Sequence, residues 1–224
     1  DDVIAADRGD GYVSRGAYKL VGAFERFADA GLRSAQGLHC LDIGASTGGF
    51  CDVLLRNDAA QVIALDVGHG QLDPKIAYDD RIIEMSGVNI RDVYVDDLPY
   101  RPEMIVSDVS FISLTLVLPV AYRLLRPGAQ MVCLVKPQFE AGREKVGKKG
   151  VVRDPAVHIE VVRNIFNFCL ENGFDVLNLD YSPIKGPEGN IEYLIHLRKS
   201  DDPKSYTEIT PEELVKNSHS QLDK

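Results

Sequence analysis

Apolar residues recur along this chain with two different periods, and the changes of period divide it into elements. In SRGAYKLVGAFERFADA, residues 14–30, Ala17, Leu20, Val21, Phe24, Phe27 and Ala28 share one face of a helical repeat. Ser14 suits the N-cap of this helix and Gly31 its stop. Short unbroken apolar runs follow: LHCLDIG, QVIALD, RIIEM, EMIVSD and QMVCLVK, each closed by turn residues. Helical spacing fills the gaps at about 48–57, 113–125 and 155–172, and more weakly at 70–78, with Pro155 fitting a first turn behind Asp154. Strands that alternate with helices predict a parallel sheet covered on both faces. Two further strands, 174–181 and 191–198, are joined by PIKGPEGN, whose glycines and prolines favour a tight antiparallel connection. From Ser200 the chain is polar, with a short helix near TPEELVKN.

Five parallel strands followed by a hairpin resemble the sheet of class I methyltransferases. The expected fold is therefore α/β and Rossmann-like, a mostly parallel seven-stranded sheet with helices on both faces and a C-terminal antiparallel hairpin. Composition agrees with one main core: 224 residues, 45% hydrophobic and 26% charged. No run of eighteen apolar residues and no charged-then-apolar leader is present, so a soluble cytoplasmic protein without stable membrane association is expected. Cys40, Cys51, Cys133 and Cys169 lie far apart and none has metal or redox spacing, so they read as buried hydrophobes; His39 reads as structural. The formal net charge of −9 argues against a general electrostatic grip on nucleic acid. One stretch departs from it: Arg143, Lys145, Lys148, Lys149 and Arg153 face only Glu144 in a glycine-interleaved loop.

LDIGASTGGF runs from a strand through a glycine loop into a helix. Glycines there let the backbone turn sharply and approach a ligand at the carboxyl end of a strand. A dinucleotide fingerprint requires a middle glycine for pyrophosphate, and Ser46 stands in that place. Asp42 at the loop's start favours an ammonium or sulfonium over phosphate. Asp66, ending the next strand, can accept both hydroxyls of a ribose. These features point to S-adenosylmethionine, with Asp42, Gly44, Ala45, Ser46, Thr47, Gly48, Gly49, Phe50, Asp66 and Val67 as its candidate contacts. Met85 and Asn89 are candidates for the adenosine end, and Asp108 for the reactive end.

Two apolar strands end on Asp108 and on Lys136, so both side chains should emerge beside the cofactor. With Lys19 in SRGAYKL and Glu192 in IEYLIHL they form an arrangement that resembles the K-D-K-E tetrad of FtsJ-type ribose 2′-O-methyltransferases. VSRGAYKL, DIGASTGGF, SDVSFISL, KPQFEAGR with GVVRD, and GNIEYL together resemble the TlyA (haemolysin A) family of rRNA methyltransferases, over about residues 10–198. The resemblance implies methyl transfer to the ribose 2′-OH of cytidine in 16S/23S ribosomal RNA, free or in assembled subunits. It also implies a small S4-type RNA-binding domain ahead of the catalytic one. None is recognisable here, so 1–10 is expected to be a linker or remnant of such a domain, 11–199 the methyltransferase domain and 200–224 the tail. The chain does not start with Met, which fits a piece of a longer protein. The pattern specifies no oligomeric state.

A ribose hydroxyl must lose its proton as the methyl arrives. Lys136 is the expected base, its ammonium disfavoured by burial and by Lys19 nearby. Asp108 orients it, while Lys19 and Glu192 position the substrate. The basic loop then becomes a phosphate-contacting element, with Arg15 as a further contact, and Gly142, Gly147 and Gly150 would let it close over RNA. The alternatives are a small-molecule O-methyltransferase of the same fold, a membrane-active haemolysin, and a non-catalytic RNA-binding module. The first would show a metal-binding carboxylate cluster or an aromatic pocket with a catalytic His, and the second a spanning or barrel pattern. The third would leave the tetrad incomplete.

Overall fold

The computed structural model describes residues 11–223, so the expected linker at 1–10 lies outside the described residues. The parallel strands are β1 (His39–Ile43), β2 (Gln61–Asp66), β3 (Ile82–Ser86), β4 (Met104–Ser107) and β5 (Gln130–Val135). They are followed by β6 (Phe174–Tyr181) and β7 (Tyr193–Lys199), giving the order β3-β2-β1-β4-β5-β7-β6. β7 is antiparallel to both β5 and β6 and so runs alone against the other strands. The chain winds outward in one direction through β2 and β3 and in the other through β4 and β5. The crevice where that order reverses, outside the carboxyl ends of β1 and β4, is where such sheets bind ligands.

Although the strand runs read as continuously apolar, their side chains still alternate. In β4, Met104 and Val106 pack under α1 (Ala17–Phe27) and α2 (Gly49–Arg56), whereas Ile105 joins the opposite core. That second core is covered by α4 (Leu114–Leu124), α6 (Pro155–Glu171) and α7 (Pro211–Leu222). Two short helices, α3 (Pro74–Ala77) and α5 (Pro137–Glu140), follow β2 and β5.

Four expectations need correction. The first helix starts at Ala17 with Gly16 in the cap position and no side-chain cap. Ser14 instead fills the hollow at Gly49, where an added Cβ would lie 2.3 Å from its Oγ. The helix expected at 70–78 shrinks to α3, because Asp73 caps Lys75 N at 2.9 Å and fixes a later start. The last strand begins at Tyr193, leaving Glu192 in the connection ahead of it. The tail is also more than a polar appendage. Its helix has 12 residues, buries Leu214 and Val215 in the core, and carries buried Ser218. Ahead of it the chain hydrogen-bonds to the outer edge of β6 through Lys204 O and Tyr206 N, both on Val176.

Candidate active site

β1 and β4 deliver the first pair of groups. Asp42 is 0% exposed; its Oδ2 accepts the Cys51 thiol at 3.1 Å and its Oδ1 has no partner among the described residues. Burial, and then the neighbouring carboxylates of Asp108 and Asp66, push the Asp42 carboxyl up to about 7 against the opposing thiol bond. Cys51, itself raised well above the usual thiol range by burial, keeps the proton it donates. After β1 the chain turns at Gly44 with φ +84°, where a Cβ would lie 2.5 Å from the Asp108 carbonyl. The turn is therefore pressed against the end of β4 and only glycine fits it.

The residues present fit a small cationic nucleoside in three ways. Asp42 offers an unpartnered buried carboxylate oxygen. Asp66 is held rigid, accepting Ser46 N at 2.7 Å on one oxygen and Gly68 N at 2.9 Å on the other, with lone pairs remaining for hydroxyls. Val67, 68% exposed at the end of β2, presents an apolar face beside them. Ala45 is buried, and Ser46 and Thr47 are exposed on the loop. Met85 packs partly on the core and Asn89 caps a short turn by accepting Arg91 N at 3.0 Å. The rest of the loop is occupied by packing. A Cβ at Gly48 would lie 3.0 Å from Ile76, one at Gly49 would meet Ser14, and Phe50 is buried in the core under α2. Gly49 and Phe50 thus hold the loop from behind.

The expected tetrad forms two ion pairs. Lys136 Nζ lies 2.5 Å from Asp108 Oδ1, and Lys19 Nζ 2.6 Å from Glu192 Oε1. The lysine side chains are 7% and 6% exposed. Helix α1 joins the pairs. A Cβ at Gly16 would lie 3.9 Å from Asp108 Oδ2, and one turn later Lys19 reaches Glu192. The next position on that face is Gly22, where a Cβ would meet Pro183 at 2.6 Å, so α1 can sit directly against the β6–β7 connection. At the end of the stripe Arg26 pairs with Asp180 at 3.4 Å and bonds the Tyr181 carbonyl.

Several neighbours lie within SDVSFISL and KPQFEAGR, but nothing in those runs assigns them individual roles. Ser110 Oγ accepts from Lys136 Nζ at 3.2 Å, and Gln138 Nε2 donates to Glu192 Oε2 at 2.8 Å. Phe111 is 90% exposed with φ +64°, a conformation that costs a non-glycine residue energy and is typical of sites held by their surroundings. Its ring lies 4.8 Å from that of Phe139, which lies 5.8 Å from Lys136 Nζ. Glu140 locks this corner from behind by accepting Leu114 N at 2.8 Å and Ser113 Oγ at 2.7 Å. A cavity of about 760 Å³ opens here, lined among others by Phe111, Gln138, Phe139, Arg143, Lys149 and Asn190.

The basic loop borders that cavity and a second of about 390 Å³ formed by Lys145, Lys148, Lys149 and Arg153. Lys145 is engaged by Glu160 at 2.9 Å, while Arg143, Lys148 and Lys149 are exposed. Arg15 is half-buried just ahead of α1. The loop is not free along its whole length, as its glycines suggested. Val152 N donates to Asn190 Oδ1 at 3.2 Å, and Val152 O bonds His158 Nε2 at 2.7 Å. Asn190 Nδ2 donates to Gly150 O at 2.9 Å, fixing the loop's end two residues from Glu192. Burial lowers the His158 pKa, and Nδ1 of its ring faces Tyr193 Oη at 2.8 Å. The buried tail residue Ser218 lies 3.0 Å from the same Oη.

Residues 12–199 match the model of the FtsJ-like methyltransferase family. The chain is 43% identical over 199 residues to the 16S/23S rRNA (cytidine-2′-O)-methyltransferase TlyA of Mycobacterium tuberculosis, covering 89% of this chain and 73% of the relative. It is 44% identical over 189 residues to Hemolysin A of Brachyspira hyodysenteriae, covering 83% of this chain and 76% of the relative. Among solved structures, a provisionally assigned hemolysin from Streptococcus thermophilus superposes with a TM-score of 0.90 at 44% identity, covering 95% of this chain and 76% of the other.

Proposed function

The chain belongs to the FtsJ-like methyltransferase family, and from that membership we propose that it methylates the ribose 2′-OH of cytidine in ribosomal RNA. The relatives' chemistry supports the reaction, and the observation that carries it in this chain is the double ion pair of Lys136 with Asp108 and Lys19 with Glu192. S-adenosylmethionine supplies an electrophilic methyl group on a sulfonium, and Asp42, Gly44, Asp66 and Val67 are the residues proposed to hold it.

In the proposed mechanism Lys136 acts as the neutral amine: its Nζ lone pair takes the hydroxyl proton, and the ammonium so formed is the species that pairs with Asp108. Asp108 and Ser110 keep that nitrogen aimed at the oxygen. Lys19 and Glu192, braced by Gln138, would hold the ribose with its hydroxyl toward Lys136; positioning of this kind supplies much of the acceleration. Phe111 and Phe139 offer apolar faces on which an unstacked base can rest, as single-stranded RNA recognition commonly uses. The exposed cations of the loop neutralise flanking phosphates.

No helix among the described residues is long and apolar enough to cross a membrane. The deciding experiment incubates unmodified ribosomal subunits with the protein and S-adenosylmethionine and maps methylated ribonucleotides by mass spectrometry. A 2′-O-methylcytidine at a discrete position is the expected product. Methyl transfer to catechols or phenols without any to rRNA would refute it.

A further inference from the structure

We propose that the side-chain carbonyl of Gln138 accepts a hydrogen bond from the exocyclic amino group of the target cytosine, making Gln138 a specificity-determining residue. The inference rests on the proposed methylation of cytidine and adds to it the group that tells this base from uracil.

The orientation of the amide is fixed by its partner. Gln138 Nε2 lies 2.8 Å from Glu192 Oε2, and an ionised carboxylate only accepts, so the NH₂ end must face Glu192 and Oε1 must face away. Glu192 cannot turn to free it, because its other oxygen is held by Lys19 at 2.6 Å. A side chain at residue 186 is also excluded, since a Cβ there would lie 2.2 Å from Glu192 Oε2. Oε1 is buried and accepts no hydrogen bond from any described residue. Almost all buried polar atoms in folded proteins have partners, so an acceptor left without one calls for a donor from elsewhere.

The surroundings identify that donor. Gln138 lines the cavity of about 760 Å³ together with Phe111 and Phe139, whose rings lie 4.8 Å apart. Aromatic faces seat a nucleobase, and a base resting there turns its polar edge toward the cavity wall. Cytosine presents an amino donor at position 4, whereas uracil presents an oxygen acceptor at the same place. The carbonyl end of an amide whose NH₂ end is held by Glu192 complements the first and repels the second. Oε1 is buried in the free protein, so the amide has to tilt about its contact with Glu192 to bring that oxygen to the base, a rotation that the broad last torsion of a glutamine permits. The same contact links base recognition to the tetrad: the amide that senses the amino group also braces Glu192.

The test uses ribosomal subunits whose rRNA carries either cytidine or uridine at the mapped position, with initial rates of methyl transfer for wild type and Gln138→Met. Wild type should favour cytidine by ~10–100-fold, the discrimination typical of a hydrogen-bonded base contact. Gln138→Met should be slower on cytidine, through loss of the Glu192 brace, and should bring the two rates to within about threefold, a residual preference too small for a hydrogen-bonded contact. Calorimetric binding of S-adenosylmethionine at wild-type affinity verifies the fold of the variant, and Gln138→Asn replaces it should it fail to fold. An unchanged cytidine-to-uridine ratio in the variant overturns the proposal and leaves Gln138 as a support for Glu192 alone. Equal rates for wild type on both subunits also overturn it, without touching ribose methylation itself. Absence of methyl transfer to either subunit overturns the underlying function instead.

Discussion

At the scale of single residues the site is a set of charges held in fixed partnerships. Lys136 has two partners, Asp108 at 2.5 Å and Ser110 at 3.2 Å, and in the proposed mechanism it is the one group that changes protonation. Lys136→Ala should lower methyl transfer by ~10²–10⁴-fold, the usual contribution of a positioned acid or base, and leave cofactor binding measured by calorimetry intact. A wild-type rate in that variant removes the assignment. Asp42 makes a second prediction through pH. Its carboxyl, raised from 3.8 to about 7, still holds a proton in the folded protein where the unfolded chain has lost it. The native state therefore binds more protons, and this group's contribution to stability falls as pH rises from about 4 to about 7, then levels off. A cationic ligand favours the ionised form and expels the proton on binding. Affinity for S-adenosylmethionine should thus increase as pH rises toward about 7 and level off above it, and Asp42→Asn should flatten the dependence. A pH-independent wild-type affinity would place the cofactor's charge away from Asp42.

At the scale of elements, the stripe Lys19, Gly22, Arg26 shows how a helix sets a site. Gly22 lets α1 approach Pro183 so closely that Lys19 can reach Glu192. Gly22→Ala inserts a methyl where Pro183 Cγ lies 2.6 Å away. The cost should be about 1–3 kcal/mol of stability by overpacking, read from urea denaturation. Methyl transfer should drop with cofactor affinity preserved, because the displacement falls on the Lys19 pair and not on the loop after β1. Most of this framework was legible in the sequence. All seven strands and the longer helices follow from apolar runs and spacing; of the four charged residues, Asp108 and Lys136 follow from strand ends, while Lys19 and Glu192 were singled out by the resemblance to the K-D-K-E tetrad. Gly22 was not, because a glycine within a helical repeat looks the same whether it faces solvent or a proline from residue 183. Phe111, Ser110 and Gln138 lie within two of the family-like runs, but their individual roles were not legible there. Their importance comes from a strained backbone and from contacts across the fold, neither of which has a local signature. For Gly49 and Phe50 the sequence could not show the packing role, since the contacts of Gly49 with Ser14 and of Phe50 with the core come from across the fold.

At the scale of the whole molecule, the net charge of −9 and the cationic loop have to be weighed together. An acidic body repels RNA at long range, so the loop must supply a local attraction that salt will screen. Replacing Lys148 and Lys149 by Gln should weaken rRNA binding and make the slope of log affinity against log salt shallower by about 1.4–1.8 for two lost phosphate contacts, while cofactor affinity stays constant. An unchanged slope would return both lysines to ordinary solvated surface. The anchoring of Val152 by Asn190 and His158 means that this attraction is delivered from a fixed position beside Glu192.

The reversed strand β7 has a consequence for the order in which the molecule can be made. It lies between β5 and β6, both of which leave the ribosome before it. A nascent chain that stops at Tyr181 therefore carries two strands with open inner edges and no Glu192. Such edges are templates for pairing with other chains, so a product terminated there would be both inert and adhesive, and a growing chain passes through the same state until the last hairpin is synthesised.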